Sequence, residues 1–114
     1  MLLLKYNSNM EFKMNFQTHN TNPEINHETG GTYLQGHVTV TYANLVSKFG
    51  EPMQGEDKTD AEWVLKFGNK VATIYNWKNG VNYCGKEGTP TEDITEWNIG
   101  GHSEEVVKLV MNTV

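Results

Sequence analysis

The 114 residues contain no arginine; the nine basic side chains are all lysines, scattered singly from Lys5 to Lys108. Arginine supplies the planar fork that grips phosphates and guanine edges, and nucleic-acid binders usually gather their cations on one face. Neither device is present and the formal net charge is −5, so direct binding of DNA or RNA is not expected. An acidic imitation of nucleic acid is not expected either, because fourteen carboxylates spread along the chain form no dense array.

Cysteine is nearly absent. Cys84 stands alone, which excludes an internal disulfide and fits a reducing compartment. Long apolar runs are missing too. Met1-Leu2-Leu3-Leu4 gives way at once to Lys5-Tyr6-Asn7-Ser8, too short for a signal-peptide core or a membrane span.

What remains suffices for one core. Hydrophobic residues make up 37% of the chain and charged residues 20%, so a disordered chain is not expected and residues 1–114 read as a single domain. Residues 1–9 read as a loose terminus or a lead strand. Met10, Phe12, Met14 and Phe16 alternate with polar residues and predict a half-buried strand. From His19 to Gly31 the chain is polar and reads as a long loop, followed by a short or irregular strand within 32–40.

Tyr42, Leu45, Val46 and Phe49 fall on one helical stripe, with Thr41 as cap, Gly50 as stop and Pro52 beyond. After a polar loop over 53–60, strands are predicted over Glu62–Phe67 and Val71–Lys78. Asn79-Gly80 is the preferred type I′ dipeptide and predicts a third strand over Val81–Cys84. A last strand, Ile94–Ile99, leads through Gly100-Gly101-His102 to a helix capped by Ser103, its buried stripe Val106, Val107, Val110, Met111 and Val114. The fold class is α+β: an antiparallel sheet of about four to six strands with two helices packed on one face.

The turn at Gly68-Asn69-Lys70 leaves two registers open. A two-residue turn pairs Phe67 with Lys70 and Trp63 with Ile74, and puts Tyr75 and Trp77 on the face away from the helices, beside Glu62, Val64 and Lys66. A three-residue turn puts both aromatics in the core.

His19, His27, His37 and His102 lack metal-ligand spacing, and His19 and His27 read as solvated loop residues beside Glu24 and Glu28. No nucleophile–base motif surrounds Cys84 or a serine. Asp57, Asp60 and Glu62 around Lys58 read as a solvated loop. Gly100 and Gly101 join a strand to a helix and offer amides to an anion, with His102 beside them, although Glu104 and Glu105 already occupy that helix end. Trp63 and Trp97 read as core, and Trp77, flanked by Asn76, Lys78 and Asn79, as the tryptophan to place on a surface.

Thr41-Tyr42, Leu45-Val46, Phe49-Gly50-Glu51-Pro52, Asp57-Lys58-Thr59, Trp63, Val71 through Lys78 and Trp97 through Gly101 together resemble a group of small uncharacterised accessory proteins of tailed bacteriophages, over roughly residues 31–110. The resemblance implies a setting, the host bacterial cytoplasm, and a role in binding a host protein, including components of antiviral defence. It carries no catalytic residues and no cofactor. Three readings follow: non-catalytic binding of a host protein, sequestration of a nucleotide-like ligand, and a small enzyme or minor virion component. Lys58, Thr59, Tyr75, Trp77, Gly100, Gly101 and His102 are the candidate binding residues, without a membrane partner and with self-association left open.

Overall fold

Two tryptophans organise the interior. Trp63 and Trp97 are both fully buried and meet edge to face, ring centroids 5.4 Å apart. Their indole N–H groups donate to Gly50 O at 2.8 Å and Val40 O at 3.0 Å, the carbonyls that flank helix α1 (Tyr42–Phe49). Each ring thus contributes about 2–3 kcal/mol of burial and fixes one end of the helix. The helix itself forms as its sequence dictates: the Thr41 hydroxyl caps Asn44 N, and Gly50, at φ +86°, ends it.

The computed structural model describes residues 15–114. The remaining elements are β1 (Gln17–Thr18), β2 (Tyr33–Thr39), β3 (Met53–Gln54), β4 (Ala61–Phe67), β5 (Lys70–Tyr75), a one-turn helix α2 (Val81–Cys84), β6 (Glu96–Gly101) and α3 (Glu105–Thr113). One antiparallel sheet runs in the order β1-β4-β5-β6-β2, with β3 also on β4. Helices α1 and α3 share one face of it, where Leu45, Phe49, Val106 and Val110 meet Trp63, Leu65, Ala72, Ile74, Trp97 and Ile99. The α+β expectation therefore holds. No helix of the described residues is long and apolar enough to cross a membrane.

The register follows the two-residue alternative. Gly68 takes φ +65° while Asn69 keeps a negative φ, the pattern of a type II′ turn, and Trp63 pairs with Ile74 and Glu62 with Tyr75. Several expectations are corrected. Strand β5 stops at Tyr75, not Lys78, and its free edge is taken by β6. Val81–Cys84 is helical, and Gly80 is extended at φ −106°, so the Asn-Gly hairpin does not form. Gly100 and Gly101 lie inside β6, not in a turn. Ser103 offers its carbonyl to Val106 N and no hydroxyl cap, and Met111 is 53% exposed. The 19–31 loop folds a 3-10 turn, Pro23–Glu28, that buries Ile25. Of the strand expected from Met10 onward, residues 10–14 lie outside the described residues; Phe16 packs on Phe49 and Phe67.

A buried polar cluster explains why the Asn-Gly signal fails. Asn76 is fully buried, and its amide oxygen accepts from Asp60 N (2.7 Å) and Ala61 N (3.2 Å). Its amide nitrogen donates to Asp60 Oδ1 and Asn79 Oδ1, both at 2.9 Å. The other Asp60 oxygen accepts from Asn82 N at 3.1 Å, capping α2. A Cβ on Gly80 would overlap the Asp60 carboxylate. The chain instead reverses at Lys78, φ +60°, whose N–H donates to Lys58 O at 2.8 Å. Tertiary hydrogen bonds outweigh a local turn preference here, because breaking them strands buried polar atoms.

The outer edge of β4 is shared by β3 and β1, and His19 fills the gap between them. Its backbone N–H donates to Val64 O at 2.9 Å, and its Nδ1 accepts from Val64 N at 3.4 Å. That bond leaves the proton on Nε2, which donates to Glu51 O at 3.0 Å. Burial holds the imidazole below its ordinary 6.5, with the bonds to Glu51 and Val64 pulling the other way.

Asn76→Ala should lower unfolding stability by about 3 kcal/mol, measured by urea denaturation, because it leaves Asp60 and two amides without partners. For His19 the unfolded chain takes up its proton first, so its contribution is complete above pH 6.5 and drains as pH falls below that value. The stability difference between wild type and His19→Gln should accordingly shrink between pH 7.5 and pH values of roughly 5.5 in urea titrations.

Candidate functional site

The register that buries Trp63 and Ile74 sends their neighbours to the opposite face. There Glu62 stands across from Tyr75, and Thr73 across from Gly100. Half of this face is covered: Ile25 packs on Val64 and Val71, with Met53 alongside. The other half is open, and forms a hollow of about 300 Å³. Tyr33, Glu62, Thr73, Tyr75 and Gly100 come from the sheet, and Thr29, Thr32, Thr59 and Trp77 complete the lining.

Gly100 makes the depth. A Cβ there would stand 2.6 Å from Thr73 Oγ1 and 3.5 Å from a Tyr75 ring carbon, so any side chain would fill the floor. Tyr75 and Trp77 meet edge to face at 6.2 Å, and Trp77 remains 48% exposed at the mouth. Although β5 has ended, Trp77 is firmly mounted, since it follows the fully buried Asn76.

Three of the polar groups, Thr29, Thr32 and Glu62, meet the hollow as acceptors, while the Tyr33 and Tyr75 phenols, the Thr59 and Thr73 hydroxyls and the Trp77 indole carry donors. The Thr29 hydroxyl donates to Asn26 O at 3.1 Å and the Thr32 hydroxyl to Thr29 O at 2.8 Å, so both turn only lone pairs outward. Burial pushes the Glu62 carboxyl above its ordinary 4.5, and among the described residues nothing offsets that cost with a hydrogen bond or cation. No lysine lines the hollow. Nearby cations are engaged elsewhere: Lys58 with Asp57 at 2.8 Å, Lys66 with Glu28 at 2.9 Å, and Lys78 over the Tyr83 ring at 5.5 Å.

Of the residues singled out from sequence, Thr59, Tyr75, Trp77 and Gly100 converge on this one hollow. Lys58 turns to Asp57, and Asp60 and Glu62 do not cluster around it. Gly101 faces the helices, where a Cβ would strike Val106. His102 is exposed and lies 3.4 Å from Glu28 O. The Gly100-Gly101-His102 anion cradle therefore does not form, because both glycines are strand residues paired on each side. Glu62 and Thr73 were not singled out as site residues, although strand alternation places them once the register is known. Thr29, Thr32 and Tyr33 carry no signal in the sequence. Among the described residues no three His, Cys, Asp or Glu side chains stand together to hold a metal.

Glu62 is a strained choice for stability. Its folded pKa is raised, so ionisation costs folding free energy that appears as pH rises through 4.5 and persists at neutral pH. Glu62→Gln should raise the urea midpoint at pH 7, and that gain should vanish in acid where both states are protonated. Comparisons with protein-family models, with curated proteins and with solved structures returned no match.

Proposed function

We propose that this protein acts by non-catalytic binding of another protein, through the open half of the sheet face that carries Tyr75 and Trp77. The single observation that supports this is the pair itself: a half-exposed tryptophan braced by a tyrosine at the rim of a hollow. Aromatic anchors of this kind supply most of the energy in many protein interfaces, as large rigid surfaces with little rotamer entropy to lose. The setting in the proposal is the one that the resemblance implies: a phage accessory protein engaging a host protein in the bacterial cytoplasm and blunting its defence.

The chemistry of the hollow favours binding over turnover. Its lining holds one carboxylate and two phenols, without a thiol, imidazole or amine to act as a second catalytic group. It also favours a protein over a nucleotide, since a phosphate would meet the Glu62 carboxylate with no cation in the lining to offset the repulsion.

Affinity purification of the tagged protein from host cells, wild type beside a Tyr75→Ala, Trp77→Ala double variant, tests the proposal. Wild type should retain one protein in stoichiometric amount, and the double variant should weaken that complex by about 30-fold or more with little change in its own stability. Failure to retain a partner, or a complex indifferent to both substitutions, would count against it.

A further inference from the structure

We propose that the hollow is a socket for one arginine side chain of the partner protein, with the guanidinium against the Glu62 carboxylate and its plane on the Trp77 ring. This deepens the protein-binding proposal above and rests on it.

The one charged group in the hollow, Glu62, calls for a cationic donor. Glu62 offers carboxylate lone pairs, and Thr29 and Thr32 offer oxygens whose own hydrogens are committed to Asn26 O and Thr29 O. Guanidinium has five N–H donors and no acceptor, which suits these three groups. Charge points the same way: the one charged group in the lining is an acid, and the chain carries −5 overall. Long-range attraction would draw a basic surface towards this face.

Arginine fits better than lysine on three counts. Its planar head can pair both carboxylate oxygens in parallel while stacking on an aromatic face. It is more weakly hydrated than an ammonium, so seating it beside a half-buried carboxylate costs less. The lining also spreads its acceptors over several elements, Glu62 on β4, Thr73 on β5 and Thr29 and Thr32 beyond the 3-10 turn, which suits a forked donor more than a point charge. A volume of about 300 Å³ suits one long side chain and lies at the low end for small-molecule sites.

Composition narrows the source. These 114 residues contain no arginine, so a second copy of the same sequence has none to insert. A copy of these 114 residues is thereby excluded as the occupant.

The test is an NMR titration of the labelled protein with capped arginine amide, capped lysine amide and inorganic phosphate, following the Trp77 indole N–H and the backbone amides of Glu62, Thr73 and Tyr75. Arginine amide should shift these signals saturably, with a Kd on the order of 1–10 mM. Lysine amide should bind about 5-fold more weakly, phosphate should leave the signals in place, and Glu62→Gln should weaken arginine binding about 10-fold while keeping a native spectrum. Equal affinity for the two amides, arginine binding unchanged in Glu62→Gln, or no saturable shift at all would overturn the socket. Capture of a partner that is lost in the Tyr75, Trp77 double variant yet unaffected by Glu62→Gln would also overturn it, while leaving the protein-binding proposal standing.

Discussion

The pairing of β4 with β5 is the constraint on which the rest of the molecule depends. Side chains alternate along a strand, so a shift of one residue would exchange the two faces of the sheet. With the turn closed at Gly68-Asn69, Trp63, Leu65, Ala72 and Ile74 build the core against α1 and α3, and Glu62, Thr73 and Tyr75 form the floor and wall of the hollow. Core and candidate site are the two sides of one register. Any substitution that lengthened this turn would therefore damage stability and recognition together.

The sequence was legible where a local pattern and the tertiary structure agree. Helix α1 is readable end to end, because its apolar stripe, Thr41 cap and Gly50 stop are all contiguous and all used. The strands around Gly68-Asn69 are readable for the same reason, though not which of two registers closes them. Asn79-Gly80 misleads because its conformation is decided by Asp60 and Asn76, sixteen residues apart in sequence and hydrogen-bonded in the interior. A polar cluster of this kind leaves no periodicity to detect. Gly100-Gly101 misleads in another way: paired glycines usually mark a turn, whereas here they stay in a strand, one leaving room for a hollow and the other for Val106. The hollow itself is half legible, since Tyr75 and Trp77 fall within the strand expected over Val71–Lys78, whereas its threonine wall comes from the 3-10 turn region, which reads simply as polar.

Polar side chains do much of the work that longer strands would do elsewhere. β1 and β3 are two residues each, too short to cover the β4 edge alone, and the His19 imidazole supplies the missing acceptor between them. Asn20 donates to Phe49 O and Glu51 O, at 3.0 and 2.9 Å, joining the same segment to the end of α1. Asn76, Asp60 and Asn82 perform a similar service on the far side of β4. Such ties are directional, so they hold the loops in one arrangement more strictly than apolar contact would.

Trp77 benefits most from that arrangement. The residue before it is immobilised in the interior by bonds to Asp60, Ala61 and Asn79, and the residue after it is held by Lys58 O. An exposed indole on such a mount has little backbone freedom left to surrender at the moment of contact. Association then resembles a key meeting a cut lock: collisions in the right orientation succeed without waiting for a loop to close, and the lifetime of the complex is left to the fit of the side chain that enters.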